Sequence, residues 1–465
     1  MAFPNPILVA ASLALTVGVL APDAAATDRK VPKDFATIQA ALDAAVDGDR
    51  ILVSRDKAGP YRENLVVSTP NLLIQGKNVE LNAGAAGVGF QIAADGVVVT
   101  GFTIRNATGG AIVAVGDDIE ISRVRIEGCQ GNGIEITGVD ATIERNTIKY
   151  VGGSGIVYGA STNAGTTVIE RNTVCLNADS GIVSSGADVA ITRNTVEYNQ
   201  NDGIQINDGG YDGSDSTDID GNKIRSNGGN GVCVFETGAD GILIEGNTIE
   251  TNGRNGVEVA TGDGVSFINN KIKRNSENGV SLSAVGGNLV KNRFENNTLS
   301  GIVINNGLAN GNHNLDSNTA RSNGRDGIQV TGGANNLVNN ICDRNLGDGI
   351  DIVAQAKGDS QANILLGNKC SRNQHEGIDN SGTNTQINGN KLSKNGPGGF
   401  GPDIAGSGNR ANPEDAVGIG SVAAREIGRY DDGTLTYFLD DLGSSGDLNV
   451  IDGDLCEQFV SLPYA

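Results

Sequence analysis

Tryptophan is absent from the 465 residues, methionine occurs once, and histidine twice, as His313 and His375. Aromatic residues make up only 4% of the chain, too few to line the core of an ordinary globular enzyme. One Met, two His and no Cys-x2-Cys pair argue against a zinc or copper centre. Cations are scarce: 34 Lys and Arg face 55 Asp and Glu, a net charge of −21, and no basic run stands ready to neutralise phosphates. Nucleic acid is therefore not an expected partner, and the charge suits a soluble extracellular protein. Beyond the first residues no apolar run is long enough for a membrane-spanning helix, so membrane insertion is not expected either.

What the chain has in quantity is order. Ten times between Asn172 and Gly399 it repeats Asn, four residues, Asn, three residues, Gly, as in Asn194, Asn199 and Gly203. Copies start 22 to 28 residues apart, and Ile or Val follows the Gly in every copy but the last. A fixed period of this size means a solenoid. In one unit, Val189 and Ile191 alternate with polar neighbours, Val196 sits on a very short second strand, and Ile204 and Ile206 share one face of a third. Three short strands and three turns per repeat fit one rung of a right-handed parallel β-helix, with rungs stacked at about 4.8 Å. The Asn residues are read as turn formers that tolerate left-handed backbone and bond the Asn of the next rung. The fold class is thus all-β, a single right-handed parallel β-helix solenoid over 51–410, and a monomer is expected.

Three segments flank it. In residues 1–26 an apolar run from Ile7 to Leu20 precedes Ala24-Ala25-Ala26, which reads as a cleaved signal peptide with a mature start near Thr27. A secreted or periplasmic location follows. Residues 27–50 form an N-terminal cap, in which Phe35, Ile38, Leu42 and Val46 stand at helical spacing and predict a capping α-helix over 34–46. Residues 411–465 lose the beat and form a tail or a second cap. Of the six Cys, Cys342 and Cys370 each stand two residues after a repeat Asn on neighbouring rungs, either as a disulfide or as a reduced inward stack.

The segment Val31-Pro-Lys-Asp-Phe-Ala-Thr-Ile-Gln-Ala-Ala-Leu-Asp-Ala-Ala, with Gly48-Asp-Arg-Ile-Leu-Val, Pro60-Tyr-Arg-Glu-Asn and Gly101-Phe-Thr-Ile-Arg-Asn, resembles the opening of pectin-lyase-like β-helix proteins. The resemblance covers roughly residues 30 to 410. It implies a secreted polysaccharide-active protein, a lyase or epimerase acting on acidic glycan, whose partner is an acidic or neutral polysaccharide. A non-catalytic glycan- or partner-binding β-helix and a periplasmic NosD-like metal accessory are the alternatives. The sequence departs from the characterised enzymes, lacking the Arg-x-Pro-x-x-Arg of common pectate lyases and the Asp-Phe-Ile-Phe-Gly of pectin methylesterases.

Chemistry is expected where long rungs gain residues after the third strand, at 159–166, 208–216, 305–312 and 354–361, since loops at one corner of successive rungs wall a groove. The residue two after each Gly points outward, and that column ends in Asp351 and Asp379; the residue before each Gly gives Asp326, Asp348 and Glu376. Asp348, Asp351, Glu376 and Asp379 are therefore expected to converge on an exposed edge as metal ligands, with oxygen ligands at this density suiting Ca²⁺. For lyase or epimerase chemistry a cation acidifies the C5 proton of a uronate, and a base removes it. Lys357, on the inserted loop, and His375 are the candidate bases, with Asp351 and Asp379 completing the catalytic set. Asn373-Gln-His-Glu resembles the Asp-Pro-His-Glu motif of alginate C5-epimerases, although two of the four residues differ. The aspartates between Asp212 and Asp220 form a further acidic loop without EF-hand spacing.

Overall fold

The computed structural model describes residues 26–396, apart from 85–86, 160–165, 187, 208–216, 236–240, 262–263, 354–361 and 383–384, together with short strands at 402–404, 410–411, 424–429, 435–439 and 450–451. The proposed leader as far as residue 25, most of the inserted loops at 159–166, 208–216 and 354–361, Lys357, Asp212 and Asp215 lie outside the described residues, whereas the segment expected as a loop at 305–312 largely continues the third strand Ile302–Asn310.

Each rung has a leading, a middle and a third strand. Val189–Thr192, Thr195–Glu197 and Ile204–Asn207 form one, and each pairs in parallel with its equivalent on the next rung, Val189 with Thr217, Thr195 with Lys223 and Ile204 with Val232. The third strands make a 15-stranded parallel sheet. Inward positions hold Ile143, Ile169, Ile191 and Ile219 on leading strands and Ile148, Val174, Val196 and Ile224 on middle strands, all fully buried. Stacking like on like gives a continuous apolar column, the main stabilising term of a solenoid. Cys342 and Cys370 occupy this column on adjacent middle strands, in register, buried and with both thiols free, which is the reduced inward stack.

The recurring residues turn out to have different work from that expected of them. Left-handed backbone falls on the residue before each Asn, such as Arg193 (φ 55°) and Tyr198 (φ 58°), and not on Asn194 or Asn199. The Asn amide is committed to the ladder instead. Asn194 donates from Nδ2 to Ile169 O at 2.7 Å and to Asn222 Oδ1 at 3.1 Å, while its own Oδ1 accepts the main-chain N–H of Asn172 at 2.9 Å. The Gly of the beat supplies space rather than a turn conformation: a Cβ on Gly203 would lie 2.4 Å from Ile224 Cγ2 and 2.5 Å from Gly231 O.

The capping helix spans only Ile38–Asp43, shorter than the apolar spacing suggests. Thr37 stays extended (φ −129°, ψ 158°) and its hydroxyl accepts the Ala40 N–H, while Glu63 accepts the N–H groups of Ile38 and Gln39 at 2.9 Å. These caps fix the start, so Phe35 packs on the core from outside the helix. The helix ends at Asp43, and Val46, beyond its C-cap Ala44, is exposed. An unforeseen strand, Asp28–Val31, precedes the helix and pairs with Arg50–Ser54. Cations scattered in the sequence are collected by stacking onto the middle strands and their flanking turns, so the expectation of no basic cluster does not hold for the folded surface.

Candidate functional site

The third strands present one outward column. Val303, Gln329, Asp351 and Asp379 follow in register, and Asp403 pairs in turn with Asp379. Alternation along each strand explains the placement, since Ile350 and Ile352 turn inward and leave Asp351 outside. Gln329 Nε2 donates to Asp351 Oδ2 at 2.9 Å. Burial pushes the Asp351 carboxyl up, the Gln329 hydrogen bond opposes this, and the charge of Asp326 adds to it.

One turn earlier on each rung stands a second group. Atoms of Asp348, His375 and Glu376 capable of holding a metal all lie within 4.8 Å of one another. His375 is exposed, Glu376 half-buried and Asp348 buried. The four expected carboxylates therefore form no single exposed edge: Asp348 and Glu376 join His375 at the turn, while Asp351 and Asp379 lie half-buried on the adjoining strands. Two carboxylates and an imidazole make a harder match for Ca²⁺, which prefers oxygen alone, than for ions that accept nitrogen.

The residues before the Gly also form a ladder that the sequence reading missed. Asn230 Oδ1 accepts the N–H of Asn255 at 3.1 Å, Asn255 Oδ1 that of Asn278 at 3.0 Å, Asp326 Oδ1 that of Asp348 at 2.9 Å, and Asp348 Oδ1 that of Glu376 at 2.8 Å. The signal was there, because this column holds short polar residues, Asn, Ser or Asp, from Asn132 to Asp348. Glu376 is the first longer side chain in it.

Burial pushes the Asp348 carboxyl up to about 8, with the hydrogen bond to the Glu376 carboxyl and the charges of Glu376 and Asp326 acting in the same direction. Its folded value exceeds the unfolded one near 3.9, so its protonation stabilises the fold fully below about pH 4 and that contribution is lost as pH rises through about 8. Asp348→Asn reproduces the neutral form and the ladder bond that Asn255 makes. In chelator, urea unfolding at about pH 6 and about pH 9 should show the parent losing stability between them and the variant losing less. Equal losses would remove Asp348 as the titrating group.

A separate cleft of about 330 Å³, lined by Arg55, Asp56, Tyr61 and Glu80 among others, lies near the N-terminal cap. None of the sequence-derived candidates borders it.

The model of the family described as "Right handed beta helix region" matches residues 86–213, 210–358 and 255–414. Comparison with curated protein sequences finds no match. Among solved structures, the chain is similar to the A-module of Azotobacter vinelandii mannuronan C-5 epimerase AlgE6, at 17% identity over 80% of this chain and 94% of that one, with a TM-score of 0.45. It is also similar to the Dettilon tailspike protein, at 15% identity over 67% and 66% of the two chains and a TM-score of 0.48. A third is the catalytic unit of a thermostable α-1,3-glucanase from Streptomyces thermodiastaticus, at 12% identity over 80% and 64%, with a TM-score of 0.36.

Proposed function

This chain belongs to the right-handed β-helix family, and we propose that it acts on acidic polysaccharide at the third-strand face around Asp351 and Asp379. The observation carrying this reading is the convergence of Asp348, His375 and Glu376 within 4.8 Å beside two outward aspartates held in register. Stacked columns form a straight track on which an extended glycan can lie, and the track passes these residues.

The chemistry that suits them is proton abstraction from C5 of a uronate, followed by return of a proton on the opposite face or by breakage of the C4–O bond. A divalent cation held by Asp348 and Glu376 would neutralise the sugar carboxylate and acidify the C5 proton. Asp351 and Asp379, half-buried, orient sugar hydroxyls as acceptors. His375 either completes the cation's donor set or takes the C5 proton, and Lys357 on the inserted loop is the second candidate base. Ca²⁺ and nitrogen-accepting ions are both to be tried. The setting proposed is extracellular or periplasmic; among the described residues no helix is long and apolar enough to cross a membrane.

Because they position the sugar, Asp351→Asn and Asp379→Asn should each lower turnover on polyuronate by about 100-fold, with unfolding free energy within about 0.5 kcal/mol of the parent. Formation of unsaturated ends and of epimerised residues is the readout. His375→Gln separates the roles: lost cation binding makes it a ligand, kept binding with lost turnover makes it the base. Parent turnover in all three variants removes the site.

A non-catalytic binding protein is the second reading, and one observation favours it. Asp326 and Asp348 each accept the next rung's main-chain N–H, the same structural task that Asn230 and Asn255 perform on rungs without this acidic group.

A further inference from the structure

We infer that the middle-strand face is a docking track for acidic polysaccharide, distinct from the face of Asp351 and Asp379 and resting on the same reading of the chain as polysaccharide-directed. Between residues 120 and 396 the chain has 22 Lys and Arg, and all but Arg254, Arg325 and Lys357 stand on a middle strand or on one of the two left-handed turn residues flanking it. Those same positions hold five acids. A chain of net charge −21 therefore carries one strongly positive face.

The acids on that face are already engaged. Lys149 lies 3.2 Å from Glu127, Lys273 2.9 Å from Glu250, and Asp343 is shared by Arg321, Arg344 and Arg372. Internal pairing leaves cations over, which a polyanion complements. Along one rim Arg123, Arg145, Arg171 and Arg193 repeat on consecutive rungs. Arg145 and Arg171 each touch the preceding Glu144 and Glu170, but these are exposed pairs that a ligand exchanges at little cost.

The other rim carries Tyr150, Leu176 and Tyr198 on three consecutive rungs, 51%, 41% and 51% exposed, with φ of 55°, 59° and 58°. Left-handed backbone disfavours such residues, and water disfavours their exposed apolar surface, so neither choice stabilises the fold. Other rungs place polar residues there, among them Ser226, Thr251 and Asn296. Tyrosine rings offer flat faces to sugar rings, and Lys149 Nζ lies 4.9 Å from the Tyr150 ring centroid, so positive charge sits beside the platform.

The spacing selects the occupant. Rungs repeat at about 4.8 Å, close to the length one pyranose adds to an extended chain, so the sugars of a polyuronate stay in step with the rungs and its carboxylates recur at whole-rung spacings along the arginines. A stacked nucleic-acid strand presents a charge about every 3.4 Å and loses register within a few rungs.

The test titrates the full chain with an oligogalacturonate, a neutral cello-oligosaccharide and a single-stranded oligonucleotide of equal charge. Oligogalacturonate should bind most tightly, with affinity falling as salt rises. The pair Tyr150→Asn with Tyr198→Asn, and the pair Arg145→Ser with Arg171→Ser, should each weaken it about tenfold without lowering the unfolding midpoint; the arginine pair should also flatten the salt dependence. Parent affinity in both double variants, or tighter binding of the oligonucleotide, overturns the track. If turnover at Asp351 persists in that case, the proposed reaction stands alone; a chain that binds no oligogalacturonate overturns the track, and the reaction falls only if polymannuronate is not turned over either.

Discussion

Asn247→Ala should lower unfolding free energy by about 4 kcal/mol. Asn247 Oδ1 accepts the main-chain N–H of Asn222 at 2.8 Å and its Nδ2 at 3.0 Å, while Asn247 Nδ2 donates to Ile219 O at 2.6 Å and to Asn270 Oδ1 at 3.0 Å. All these groups are buried, so alanine strands a main-chain donor and a carbonyl where water does not reach, at about 1–3 kcal/mol each. Loss of the amide's packing adds the remainder. Equilibrium urea unfolding measures it, and a shift below about 1 kcal/mol would mean that the ladder contributes register and little energy.

The second large effect is an acid-labile joint at His313. This imidazole stands where neighbouring rungs place Asn335 and Asn363, fully buried, with Nδ1 accepting the Gly287 N–H at 2.9 Å and Nε2 2.9 Å from the Ala284 carbonyl. Only the neutral ring with its proton on Nε2 satisfies both contacts. Burial holds its pKa down at about 4, against the hydrogen bond to the Ala284 carbonyl. The unfolded chain takes up a proton near pH 6.5 that the folded chain refuses until about pH 4. Stability therefore falls as pH drops through that window, by up to about 3 kcal/mol. His313→Asn, which restores the ladder residue, should remove most of this loss when unfolding at about pH 7 and about pH 4.5 is compared. A parent and variant with parallel pH profiles would assign acid sensitivity elsewhere. The Asp348 carboxyl acts in the opposite direction, so the two variants separate the opposing slopes.

Much of this architecture was legible because a solenoid turns sequence period into spatial contact. Asn194, Asn199 and Gly203 recur, and their recurrence alone gave rungs, stacking and an outward column ending in Asp351 and Asp379. What each residue does within the rung was less legible. The Asn resemble the left-handed residues of the turn, yet that backbone belongs to Arg193 and Tyr198, since both positions sit in the same turn and period cannot tell them apart. Phe35 and Val46 fit helical spacing and lengthen the expected helix, whereas the Glu63 cap that helps to fix its start comes from beyond the next strand. Asp348 looks like an exposed ligand in the repeat, yet its place in a third ladder, fixed by the N–H of Glu376, buries it. The arginine rim is hidden in the sequence for a simpler reason: Arg123, Arg145, Arg171 and Arg193 are one rung apart in space and 22 or more residues apart in the chain.

The most direct measurement is hydrogen exchange at the sugar itself. The full chain is incubated with polygalacturonate or polymannuronate in D₂O with Ca²⁺, Mn²⁺ or Zn²⁺, and deuterium at C5 is read by NMR and mass spectrometry. Proton abstraction at the Asp351–Asp379 face predicts deuterium at C5 or unsaturated ends with the parent protein, and neither with Asp351→Asn. Polyuronate recovered with its C5 protons intact and no unsaturated ends under every cation, from protein shown to be folded, would contradict the proposed reaction.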